Sequence, residues 1–381
     1  MRHVYSLEGL APLVFRSGKP FGAQAGADGA AFPPPSSLAG LLRTLHADQT
    51  GAPFSDALRE LAVAGPVLGW RSAAGILPLL PKPADAIYLK NEQDEIQVMR
   101  LAPTRLPASC GTDLPSGLLP LMMPHRLEGK PVPGAQYWPL EGLLRWGQGE
   151  NLAFDYLKTH GLQELTAVAR THVAIDRDTK VASDGQLFQT GGIDLAPRRL
   201  AVSGKPEGGW AERDLVFLAH SEISLSPTLA TFGGERRLSR LQPAGANVWP
   251  QRPAALEASI LAAGGLSLTL ATPALLEAGF RPGWLDERLQ GEHPACPGLR
   301  LRLRAAAIER WLPVSGWDLA AHKPRAMRKA VAAGAVYWFE LLSEPPADFL
   351  AALWLAPLSD KPQDRRDGFG LALPAPWTPV A

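Results

Sequence analysis

Asp367-Gly368-Phe369-Gly370-Leu371-Ala372-Leu373 decides how the last third of the chain is read, with two glycines bracketing one aromatic and running into apolar residues. Glycine at alternate positions allows positive φ and a close backbone approach. Successive exposed amides in such a turn can cradle an anion. The same residues also read as a tight Asp-Gly turn before a last strand, Phe369 to Leu373, which needs no ligand. Upstream, Leu266-Ser267-Leu268-Thr269-Leu270-Ala271 alternates with period two, as a strand does. Thr272-Pro273 offers a cap and a first-turn proline for a short helix, Ala274 to Ala278, ended by Gly279. Leu299 to Arg304 puts leucine on one face and arginine on the other. Ala335 to Leu341 barely alternates, which fits a strand buried on both faces. Pro346 to Trp354 reads as a second helix, with Ser343 as candidate cap and Asp348 in its early turns. The order β-α-β-β-α-β is the split βαβ, or ferredoxin-like, pattern, which the terminal glycines complete by leading into its final strand.

The N-terminal half repeats this order less clearly. His3 to Leu7 and Leu13 to Arg16 read as a strand broken at Gly9 and Pro12. A glycine- and alanine-rich stretch from Phe21 to Gly29 precedes Phe32-Pro33-Pro34-Pro35. Ser36 or Ser37 then caps a helix through Leu38, Leu41, Leu42 and Leu45. Val67 to Trp70 and Ile76 to Leu80 form a candidate hairpin, and Leu215 to His220 a further strand. Proline-rich residues 81–170 read as long inserted loops. The composition shifts at Gln242 to Pro253, which places the boundary there. The expected fold is α+β, with two ferredoxin-like (RRM-like, βαββαβ) domains in tandem. Residues 1–245 form the first, with large loop insertions, and residues 246–381 the second, with its glycine-containing loop.

Over 381 residues, 38 basic and 37 acidic side chains leave a net charge of +1, so any nucleic-acid contact must be a local patch and not a global field. Two distant cysteines, Cys110 and Cys296, imply neither a disulfide framework nor a cysteine-rich zinc site. Met1 to Tyr5 begins a strand-like run, not a signal peptide, and the apolar stretches are too short to span a bilayer, so a cytoplasmic protein without membrane contact is expected. No cofactor motif is present: GxxxxGK[ST], GxGxxG and GxSxG are all missing, and Ser203-Gly204-Lys205 lacks the earlier glycine of a phosphate loop. His293 and Cys296 offer two metal donors where zinc needs four.

Four segments, in this order, resemble the third subunit of the type III-B (Cmr) CRISPR effector complex, a RAMP-superfamily protein. They are Phe15-Arg16 with Lys19-Pro20-Phe21-Gly22, Phe32-Pro33-Pro34-Pro35 and Gly40-Leu41-Leu42-Arg43-Thr44; His172 to Thr179 with Asp184-Gly185-Gln186-Leu187-Phe188; Phe232-Gly233-Gly234-Glu235-Arg236-Arg237; and Ser359-Asp360 with Asp367 to Leu373. The last resembles the glycine-rich loop of RAMP proteins, which lies near guide RNA, although it has only two glycines. The resemblance implies a non-catalytic subunit at the foot of the complex. Such a subunit holds the 5′ tag of the CRISPR RNA, docks the large polymerase-type subunit and abuts an adjacent RAMP backbone subunit. The equivalent foot subunit of another type III complex fits the segment around Asp176 as well.

On this footing the candidate RNA-binding residues are Arg16, Lys19, Arg43, Arg170, His172, Arg177, Lys180, Arg236, Arg237, Arg240, Gly368, Phe369 and Gly370. Arg236, Arg237 and Arg240 follow a glycine pair that could feed a phosphate clamp, or they form a solvated face. Arg43 sits among apolar neighbours after the proline wall, so RNA contact competes with a salt bridge inside the domain. His172, with Asp176 four residues on, invites the alternative of a CRISPR repeat-RNA processing endoribonuclease. No second histidine or tyrosine completes the acid–base pair, and a structural or stacking histidine is the other reading. Arg300, Arg302 and Arg304 share a strand face at about 6.6–6.8 Å spacing. They, like Lys323, Arg325, Arg328 and Lys329 near an expected helix, suit RNA, an acidic partner or solvent. Tyr137, Trp138 and Trp146 fall in the inserted loops, where they would stack bases or dock a partner. Two turn signals, Asp178-Thr179-Lys180 and Asp184-Gly185, suggest that Arg170 to Leu187 projects as a hairpin or loop near the junction of tag and guide.

Overall fold

The computed structural model describes residues 2–15, 31–123, 129–196, 198–200, 206–210, 214–318 and 323–380, with backbone only at 184, 198–200, 206–210 and 317–318. Arg16, Lys19 and the stretch from Phe21 to Gly29 lie outside the described residues. The chain divides into two compact units, one of Met1–Ile76, Leu165–Ala246 and Pro313–Arg328, the other of Leu77–Glu164, Asn247–Leu312 and Lys329–Ala381. Ala246 to Asn247 is one of several passages of the chain between the units, which are interleaved in sequence. Of residues 81–170, expected as long inserted loops of the first domain, those up to Glu164 group with the second unit.

In the first unit, β1 (His3–Gly9), α1 (Pro35–Thr50) and β2 (Val63–Ser72) are followed by β3 (Thr166–Ile175), β4 (Ala182–Asp194), β5 (Asp214–Ser221) and β6 (Leu238–Ala244). The central order is β6-β1-β5-β2, every neighbour antiparallel. Leu38 and Leu42, one turn apart on α1, are fully buried, and Val216, Phe217 and Leu218 of β5 are equally enclosed. The helix starts earlier than its serines suggest. Pro34 is its N-cap and Pro35 its first residue, because proline presets φ and has no N–H to leave unpaired.

In the second unit, β7 (Gly265–Leu270), β8 (Arg300–Ala307), β9 (Val336–Leu341) and β10 (Leu371–Pro376) take the order β10-β7-β9-β8, again antiparallel throughout. Leu266, Leu268 and Leu270 join Leu301, Leu303, Tyr337 and Phe339 in one core. Ala305, Ala307, Val336 and Trp338 pack on the opposite face. The switch occurs at a bulge, where Leu303 and Ala305 oppose the consecutive residues Phe339 and Trp338, so Arg304 is the extra residue.

Two expected elements differ. The helix from Ala274 to Ala278 is not formed. Ala274 bridges Val331, and the amides of Leu275 and Glu277 donate to Ser359 Oγ and Asp360 Oδ2, at 3.0 and 2.7 Å. Five residues are too few to repay helix nucleation when such acceptors are at hand. The second helix is shorter, Phe349–Leu353, and enters through Asp348 at φ 55 with no side-chain cap, so Ser343 plays no capping part. The proline-rich segment is built, not looped. It contains strands Ala86–Lys90 and Ile96–Arg100 and helices α2 (Leu140–Gly147) and Phe154–His160.

Candidate nucleic-acid interface

The sequence between Arg170 and Leu187 folds as the arms and tip of one long hairpin, β3 against β4. At its tip Asp176 Oδ1 accepts from the Thr179 amide, the Thr179 hydroxyl and the Asp178 amide, at 2.7, 2.8 and 3.0 Å. These bonds hold the Asp176 carboxyl below its usual pKa. Lys180 completes the turn at φ 59. Along the arms, side chains alternate between faces. His172 stands opposite Phe188 and Arg170 opposite Thr190 on one face, with Val173 opposite Leu187 on the other. Val173 is 42% exposed and Leu187 66%. A two-stranded ribbon is marginal by itself, and this one leaves apolar side chains exposed.

At the hairpin root, the strand pairing meets the turn Gly233 to Arg237. Gly233, Glu235 and Arg236 all have positive φ, at 82, 57 and 52°. For two consecutive non-glycine residues this is strained backbone, which concentrates at functional sites. The turn carries Glu235 to His172, whose Nε2 lies 3.6 Å from Glu235 Oε1 and 2.9 Å from Thr190 Oγ1. Arg237 also binds the Glu235 carboxylate. Burial opposes ionisation of Glu235, but the bonds from Arg237 and Thr190 prevail and hold its pKa below the usual value. Arg237 Nε is buried without an acceptor among the described residues. The side chains of Arg170, Arg177, Lys180 and Arg236 are exposed and likewise have no protein partner there.

The sequence matches the family of CRISPR-associated protein (Cas_Cmr3) over residues 5–377. The chain belongs to that family. No curated protein matches it. Among solved structures, a chain of the type III-B Cmr-beta complex bound to cognate target RNA and AMPPnP is similar at 12% identity, with 88% of this chain and 86% of that chain covered and a TM-score of 0.48. A chain of the same complex bound to cognate target RNA is similar at 13% identity, with the same coverage and a TM-score of 0.47. Among the described residues no helix is long and apolar enough to cross a membrane.

Other candidate residues of this Cas_Cmr3 chain have a different setting. Arg43 is buried, its Nε and Nη2 donating to the Leu61 carbonyl at 3.0 and 2.8 Å, so it sits inside the fold and not at an opening. Arg240 lies 3.3 Å from Glu8, which also binds Arg71. Gly368, Phe369 and Gly370 are buried, with Phe369 only 1% exposed. The Gly368 and Phe369 amides donate to the Arg365 and Asp364 carbonyls, and Thr272 Oγ1 donates to the Gly368 carbonyl. The terminal turn is therefore closed by its own fold. The arginine face of β8 is also occupied: Arg302 and Arg304 both approach Glu340, at 3.6 and 2.9 Å. Lys323 and Arg328 lie in short strands, and Lys329 sits over the Trp311 ring.

His172 and Asp176, read together in the sequence, are separated by the hairpin: Asp176 ties the tip and Glu235 is the carboxylate beside His172. Trp138 and Trp146 are buried instead of exposed, packed edge to face at 5.4 Å. His293 and Cys296 are buried in one turn, where His293 Nδ1 accepts from the Ala295 amide at 3.2 Å.

Proposed function

We propose that this Cas_Cmr3 chain is a non-catalytic subunit of a type III-B CRISPR effector complex that holds guide RNA with the β3–β4 hairpin and the arginine-bearing turn at its root. The observation that carries this reading is the hairpin itself, a solvent-exposed ribbon with Arg170, His172 and Phe188 on one face and two cations, Arg177 and Lys180, at its tip. Backbone phosphates need cations, and splayed bases need flat rings on which to stack. Both are concentrated here in a chain of near-neutral total charge. The strained turn at Glu235 and Arg236 lends support, since such backbone strain concentrates at functional sites.

On this reading the hairpin tip reaches the junction between 5′ tag and guide, and other surfaces meet the large polymerase-type subunit and an adjacent RAMP subunit. The shared strand order, last-first-third-second in both units, supports two ferredoxin-like modules in tandem. An endoribonuclease built on His172 finds less support. The ring is engaged by Thr190 and faces a carboxylate already paired with Arg237.

Ultraviolet crosslinking of labelled guide RNA in the assembled complex tests the reading. Crosslinks should map to the peptide from Arg170 to Phe188 and should be lost on deletion of 177–183. RNA crosslinks that bypass this chain would instead make it a purely structural partner. Metal-independent cleavage of repeat RNA by the isolated chain, abolished in His172→Ala, would make it an enzyme.

A further inference from the structure

A cavity of about 290 Å³ lies within the second unit, on the sheet face opposite its leucine core. Its floor is β7, which contributes Ser267 and Thr269. Its roof is α2 with the end of strand Ile96–Arg100. The roof comes close because Gly147 leaves no room for a side chain: a Cβ there would stand 2.6 Å from that of Ala375.

The chemistry of the lining is specific. Asp85 is buried, and its two carboxylate oxygens accept the Trp146 indole N–H at 3.0 and 3.2 Å. The Arg100 guanidinium lies over the Trp146 ring, its central carbon 3.6 Å from the centroid, and approaches Asp85 at 3.7 Å. Each carboxylate oxygen retains acceptor capacity beyond one shared N–H. The hydroxyls of Ser267 and Thr269, on buried residues, have no hydrogen-bond partner among the described residues. Both residues line the cavity, so their hydroxyls can donate to and accept from whatever occupies it. Trp338 and Trp377 add two more aromatic walls.

We infer that this cavity binds a single unstacked nucleobase, sandwiched between the Arg100–Trp146 stack and the sheet and read on its edge by Asp85, Ser267 and Thr269. Small-molecule sites begin at about 300 Å³, so the space suits one base and excludes a stack of them. Flat walls, including a guanidinium plane, are what proteins offer an extruded base. A buried carboxylate accepts N–H groups and repels phosphate, which keeps the sugar–phosphate at the mouth. Guanine presents two adjacent N–H donors to such a carboxylate and uracil only one, so guanine is preferred. The inference rests on the RNA-holding function for the source of the base, but the cavity is lined by residues of the second unit and the hairpin belongs to the first, so each is tested separately.

Two arms test it with the full chain and the assembled complex. In the first, GMP, AMP, CMP and UMP are titrated onto the protein by calorimetry. GMP should bind saturably and most tightly, and Asp85→Asn should weaken it about tenfold or more, as the loss of a charge-assisted bond does. Thr269→Val, which keeps shape and removes only a hydroxyl, should weaken it by a smaller factor. In the second, guide RNA carrying 6-thioguanosine is crosslinked within the complex, and a crosslink to the peptides holding Arg100 or Trp146 identifies RNA, and not a free nucleotide, as the source. Absence of saturable GMP binding together with absence of these crosslinks would overturn the site. So would GMP affinity unchanged in both variants. Crosslinks at the hairpin in the same sample would show that the RNA-holding function survives that failure, and their absence beside intact GMP binding would show the reverse.

Discussion

His172 lies face to face with Phe188, ring centroids 5.0 Å apart and planes 12° from parallel. The pair spans the two arms of an exposed hairpin, so each ring has one face against its neighbour and an edge towards solvent. A base inserted against this pair would extend the stack. Base–aromatic stacking contributes about 1–3 kcal/mol per base, so Phe188→Ala should weaken guide-RNA retention by the assembled complex by about 5- to 150-fold in a competition assay. Because the hairpin is exposed, the same variant should change the unfolding free energy of the isolated chain by no more than about 0.5 kcal/mol.

Arg43 should behave in the opposite way. Its Nε and Nη2 both donate to the half-buried Leu61 carbonyl, and removal of the charged donor takes both bonds from that acceptor. Arg43→Met should cost about 1.5–3 kcal/mol in urea denaturation. Guide-RNA crosslinking at the hairpin should be unchanged in the folded fraction.

The terminal glycines stand on the same side of this division. Gly370 has φ 86, and a Cβ there would meet the Ser359 amide nitrogen at 2.8 Å. Gly370→Ala should therefore destabilise by about 2–4 kcal/mol through backbone strain and overlap together. Ser359 Oγ accepts from the Leu275 amide and donates to the Phe369 carbonyl. Ser359→Ala leaves both unpaired and should cost about 1–3 kcal/mol.

Two buried groups give the second unit opposing responses to acid. Burial raises the Asp85 carboxyl from 3.8 to about 6, so between these values the folded state holds the extra proton and stability falls as pH rises. Burial lowers His293 from 6.5 to about 4, so across that window the unfolded state holds the extra proton and stability increases as pH rises. The slopes largely cancel in the native chain. Asp85→Asn removes the first and should leave unfolding free energy climbing by about 3 kcal/mol from pH 4 to 6.5. A flat profile in that variant would contradict the assignment.

Strand order was legible where the sequence alternates. Leu266 to Ala271 and Leu299 to Arg304 have the period of two that a half-buried strand imposes, and both are strands. The bulge at Arg304 was not legible, because an extra residue leaves the residue types unchanged while it turns the later side chains over. The expected helix at Ala274 failed because its amides are taken by Ser359 and Asp360, over eighty residues away in sequence. Residues 81–164 looked like loops because their strands are five residues or shorter, too short to show a period against so many prolines. Arg170, His172, Arg177, Lys180, Arg236 and Arg237 were singled out from turn signals and resemblance, and the fold places them on one hairpin and the turn beside it. Glu235 and Thr190 were missed as partners of His172, and only the Gly233-Gly234 pair hinted that a turn would approach. Nothing local in the sequence joins Asp85, Arg100 and Trp146, which the fold of the second unit brings together.

Nuclease protection of the guide RNA within the assembled complex addresses the function most directly. Complexes carrying the native chain and a chain lacking residues 177–183 are treated in parallel, and the 5′ tag junction is mapped at nucleotide resolution. Loss of protection confined to that junction, with the rest of the footprint intact, is the result expected if the hairpin holds the RNA. An unchanged footprint at the junction would contradict it.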